Sequence, residues 1–144
     1  MNKQIGSDLR TLFVIQALAT GIIGVLAMIY PSFVIRISGV DPNSIPVMQQ
    51  TGGLSVGYAV AALLALRATS WEQVRVFVAA GITANLMSLI GAVYYIFFIG
   101  VVSTGLIVLL AVYVVLSLGF VYAWRKYDRA GMAEPMAGGS ITSA

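Results

Sequence analysis

The stretch LFVIQALATGIIGVLAMIY, residues 12–30, runs for nineteen positions without one charged side chain. At about 1.5 Å of rise per residue, a helix of that length nearly crosses a hydrocarbon layer of ~30 Å. Residues 47–66, 76–98 and 104–124 repeat the pattern, and none of them holds an Asp, Glu, Lys or Arg. Lipid cannot satisfy bare peptide groups, so four such segments predict four membrane-spanning helices. The sequence therefore reads as an all-α integral membrane four-helix bundle, residues 1–127, followed by a polar cytoplasmic tail, 128–144.

The few charges give the orientation. Lys3 and Arg10 precede the first span, Arg67 and Arg75 flank the connection between the second and third, and Arg125, Lys126 and Arg129 follow the fourth. The two remaining connections share only Arg36. The positive-inside rule then puts both termini in the cytoplasm. The setting this implies is the inner membrane of a bacterium or its equivalent. Arg67, Arg75, Arg125 and Lys126, with Trp71 and Trp124, are the expected inner-interface anchors. With 60% hydrophobic and 9% charged residues, a soluble fold is not expected. The net charge of +3 is explained by topology, so no nucleic-acid partner is implied.

Between the first two spans, Tyr30-Pro31 stops the first helix, because proline disfavours helical geometry in the residue before it. Ser32 to Gly39 predicts a short helix lying in the outer interface. Asp41-Pro42 predicts a capped start, with the second long helix beginning anywhere from Asp41 to Val47. Ser70 and Gln73 form a capping-box pattern before the third. The Ala17-Leu18-Ala19 triplet imitates a signal-peptide cleavage site. Only about six apolar residues precede it and hydrophobicity continues to Tyr30, so a retained anchor is expected.

Chemistry is bounded mainly by what the chain lacks. Without Cys or His it has no disulfide, no thiolate, no usual haem ligand and no near-neutral proton shuttle. No metal, catalytic residue or cofactor of its own is expected. No acid lies in a predicted span, which argues against a proton-coupled transporter. Asp41 reads as a helix cap, and Arg36 is left to pair with it or to touch a lipid phosphate. Asp8, Glu72 and Asp128 read as ordinary boundary residues.

Two constellations remain. Gly53, Gly57, Ala61 and Ala65 recur every fourth residue, a small-residue stripe for close helix packing or for docking another subunit, with Gly21 and Gly24 as intramolecular counterparts. Asn85, in mid-span with Gly81, Ser88 and Ala92 on its face, needs polar partners in lipid, and Gln16 is a candidate. The pair reads as structural glue, or as a contact for a lipid or quinone headgroup.

A first helix ending at Tyr30-Pro31, a loop, and a second helix opening with Gly52-Gly53 and continuing to Gly57 resemble the small four-helix DoxX-like membrane proteins. The resemblance covers the layout from Thr11 to Trp124 and allows a quinone-linked role. Such relatives often carry an arginine just before the paired glycines. Gln49, Gln50 and Thr51 stand here instead, so no functional arginine transfers. The leading expectation is a non-catalytic accessory or scaffold subunit of a larger membrane complex, such as a respiratory or photosynthetic one, in contact with lipids and other membrane subunits. The alternative is a quinone- or lipid-binding membrane protein. A small transporter comes third.

Overall fold

The computed structural model describes residues 4–132, with side chains through Asp128. Most of the polar tail, from residue 133 on, lies outside the described residues. Every regular element is helical: α1 (Ser7–Ile29), α2 (Pro31–Ser38), a 3-10 turn (Pro42–Ser44), α3 (Ile45–Ala65), α4 (Trp71–Tyr94), a π turn (Tyr95–Ile99) and α5 (Thr104–Met132). An isolated bridge between Gln4 and Ser70 is the one β-type pairing among the described residues.

Local chemistry explains the boundaries. Pro31 occupies the first turn of α2, where its missing N–H costs nothing, and Gly39 closes that helix at φ 74°. The Asp41 carboxylate accepts from the Asn43 N–H at 2.8 Å and so caps the 3-10 turn that leads into α3. At Ser70 the capping box is complete, with both reciprocal bonds made. The span predicted over 76–98 changes character before its end. Its last turn widens to π form, Gly100 follows at φ 74°, and the Ser103 hydroxyl then accepts from the Leu106 N–H at 3.1 Å to start α5.

Among the described residues three helical stretches are long and apolar enough to cross a membrane: Ser7–Ile29, Trp71–Ile99 and Thr104–Asp128. α3 has 21 residues, but Gln49, Gln50, Thr51, Ser55 and three glycines dilute its apolar content. The outward faces of the long helices carry the bulky apolar side chains, with Ile22 59%, Leu54 71%, Val76 80% and Leu118 66% exposed. Monomers in water rarely show so much contiguous apolar surface, whereas a membrane accommodates it.

α1 pairs with α3 and α4 with α5, giving two antiparallel helical pairs, and α2 touches α1, α3 and α5. Small residues make the first pair close. A Cβ on Gly24 would stand 2.8 Å from the Gly52 carbonyl oxygen, and one on Gly52 would stand 2.8 Å from the Gly24 carbonyl oxygen. Buried Ala27, Ala59 and Ala62 line the same two helices. Aromatic and branched residues hold the two pairs together. Phe13 of α1 sits edge-on to Phe77 of α4 at 5.5 Å and lies 6.2 Å from Phe120 of α5. Leu9, Val74, Val78 and Leu116 fill the space around them.

The predicted register of the stripe needs correction. Gly53 and Gly57 have no atom within 4 Å of where a Cβ would stand, while Gly24 and Gly52 meet backbone to backbone. Adding a methyl to the latter two pushes two backbones apart. We expect Gly24→Ala and Gly52→Ala each to destabilise the fold by roughly 1–3 kcal/mol. Gly57→Ala should leave stability unchanged. Unfolding in mixed micelles with increasing SDS measures all three, and equal effects at the three positions would contradict the seam.

Candidate functional site

The residues that sequence reading singles out fall into three places. In mid-bundle, α1 presents Gln16 and α4 presents Asn85, 1% and 3% exposed. The Asn85 Nδ2 donates to Gln16 Oε1 at 3.2 Å. The bond links the two helical pairs diagonally. Thr20 adds a hydroxyl bond to the Gln16 carbonyl at 2.7 Å, within α1. Gly81, one turn before Asn85, leaves room for the Tyr58 hydroxyl 3.1 Å from where its Cβ would stand. The two buried amides thus supply one another's polar partner across helices.

At the Trp71 end the structure assembles a polar clasp. Asp8 of α1 accepts from Lys126 Nζ at 2.7 Å and from the Tyr127 hydroxyl at 2.7 Å. The Gly6 N–H donates to the same Tyr127 oxygen at 2.9 Å. Arg75 pairs with Asp128 at 3.0 Å and lies over the Trp124 ring at 5.3 Å. Trp71 stacks on Tyr127 at 5.6 Å and meets Trp124 edge-on at 5.6 Å.

Two of the expected anchors therefore change meaning. Trp71 is 3% exposed and belongs to the interior, because Tyr127 and Trp124 cover it. Lys126 is tied to Asp8, whereas Arg67 and Arg125 remain exposed. Asp8, read from sequence as an ordinary boundary residue, is a hub. Its partners lie 118 and 119 positions away, and no local pattern announces them.

The third place is the outer face of α3. Gly57 is exposed, Gly53 and Ala61 are half-buried, and only Ala65 of the stripe is buried. A Cβ on Gly21 would stand 3.4 Å from the Cβ of Ala59. Among the described residues no three His, Cys, Asp or Glu side chains come together in a way that could hold a metal ion.

Comparison with family models, curated proteins and solved structures finds no match. No DoxX-like resemblance is shown by them.

A double-mutant cycle measures the coupling of the two amides. Gln16→Leu and Asn85→Leu should each cost about 0.5–2 kcal/mol by leaving the other amide buried without its partner. The double variant should cost less than their sum. Strict additivity would show that the two amides act separately.

Proposed function

We propose that this chain is a four-helix, multi-pass protein of a bacterial inner membrane or an equivalent one, with both termini cytoplasmic. In that setting it works as a non-catalytic accessory or scaffold subunit of a larger membrane complex, such as a respiratory or photosynthetic electron-transfer assembly. On this reading α3 is the fourth span. Its 21 residues reach about 31 Å at 1.5 Å per residue, and α1 lies along it. The clasp end, with Arg67, Arg75, Arg125 and Lys126, faces the cytoplasm, and Arg36 and Asp41 face the other side.

The observation that carries the subunit reading is the vacant small-residue face of α3. A Cβ on Gly53 or Gly57 would have no atom of another element within 4 Å, and Leu54 and Leu64 on the same helix are 71% and 58% exposed. A helix surface with open space above small residues suits the close approach of a helix from another subunit. Lipid chains fill such space less completely than a matched helix.

Two experiments test this function. Capture of the tagged chain from native membranes in mild detergent should recover stoichiometric membrane partners. Gly57→Leu should reduce that recovery while the fold persists, and recovery of a lone monomer from the unaltered chain would overturn the proposal. For orientation, the absence of cysteine permits single-cysteine labelling without background. A membrane-impermeant thiol reagent applied to spheroplasts should label Asn43→Cys and spare Glu72→Cys. The reverse pattern would invert the topology, and labelling of both would mean that α3 does not cross.

A further inference from the structure

α2 does more than connect α1 to α3. It leans on the first turn of α5, where a Cβ on Gly105 would stand 2.5 Å from the Ile37 carbonyl oxygen. Beside that contact α1, α2 and α5 leave a half-open groove of about 610 Å³, within the range of ligand-sized clefts. Its walls are apolar, formed by Ile23, Leu26, Val34, Val108 and Leu109, and its rim carries Arg36, Ser103 and Thr104.

The groove has a direction. Ile23 lies one turn deeper into the bundle than Leu26, and Val108 and Leu109 one turn deeper than Thr104, since α1 and α5 enter this end from opposite chain directions. Polarity therefore falls from the rim inward, in the same order as in a phospholipid from headgroup to acyl chain.

Arg36 supplies the charge. Among the described residues it has no carboxylate partner, and its guanidinium lies 5.9 Å from the Phe33 ring centroid. Asp41, the nearby acid in sequence, spends one carboxylate oxygen on the Asn43 N–H. The first turn of α5, with the positive end of a 29-residue helix, borders the same rim. A second hollow of about 340 Å³ begins on the far side of Arg36, against Val40 and Ile45. A planar guanidinium matches phosphate oxygens in two parallel bonds, and an apolar recess on each side of it suits two chains.

We propose that α1, α2 and α5 form a binding site for one anionic glycerophospholipid, its phosphate held by Arg36 and an acyl chain seated between Ile23 and Val108. The site requires a membrane-embedded chain and no partner subunit, so it stands or falls separately from the scaffold role.

The test uses the isolated full-length chain, reconstituted with equimolar phosphatidylglycerol and phosphatidylcholine and examined by native mass spectrometry. The unaltered chain should retain one phosphatidylglycerol in preference to phosphatidylcholine. Arg36→Gln should lower that preference about fivefold, the effect of one surface cation on an anionic lipid. Arg36→Lys should keep part of it, having charge without the fork. Val108→Trp, which fills the groove, should abolish retention, while Leu63→Trp on exposed α3 should leave it unchanged. Equal retention of the two lipids by the unaltered chain, or an Arg36→Gln variant that selects phosphatidylglycerol as strongly as the unaltered chain, would overturn the proposal. The Arg36 variants change an exposed side chain and decide the matter even where Val108→Trp fails to fold.

Discussion

The structure depends on the backbone contact between Gly24 and Gly52. Only where both helices lack side chains can α1 and α3 approach so closely, and the approach fixes their relative rotation along their length. That rotation turns Ala59 and Ala62 inward and leaves Leu54 and Gly57 outward. It also fixes the distance that the α1–α3 connection must cover. α2 consequently lies across the end of the pair and reaches α5, where Gly105 admits it. The seam, the position of α2 and the vacant face of α3 are thus consequences of one approach.

The two helical pairs are joined by different means at different depths. Near the Trp71 end the joint is dense: Phe13, Phe77, Phe120 and the aromatic stack on Trp71, bordered by the Asp8 clasp. In the middle a single amide bond between Gln16 and Asn85 crosses from one pair to the other. Toward the Pro31 end the large groove separates α1 from α5, and α2 is the element that spans them. Packing strength therefore declines from one end to the other. The proposed partner face and the proposed lipid site both lie away from the dense core.

Much of this was legible in the sequence, and the legible part is local. Pro31, Gly39, Asp41 and the Ser70–Gln73 box act on their neighbours within a few residues, so their effects can be read from spacing. The long apolar runs are equally plain, and α1, α4 and α5 follow from them. The register of the small stripe was not legible. Gly52 and Gly53 are adjacent, about 100° apart around α3, and both begin a series of small residues. Which of them meets α1 depends on the partner's rotation, which no spacing rule contains. Trp71 was misread for a related reason. A tryptophan at a span boundary serves equally well in headgroups or in a core, and the stacking of Tyr127 decides. The Gln16–Asn85 pairing could be anticipated because unpaired mid-span amides are costly in lipid.

The clasp also has a meaning in time. Its two sides, Gly6 with Asp8 and Lys126 with Tyr127, are separated by almost the whole chain. During synthesis Asp8 of α1 must wait for these partners until α5 emerges. α1 and α3 can pair long before then, through contacts between nearby parts of the chain. The clasp therefore cannot close before the C-terminal part of α5 has been made. A chain halted before Lys126 lacks the polar contacts that tie α1 to α5.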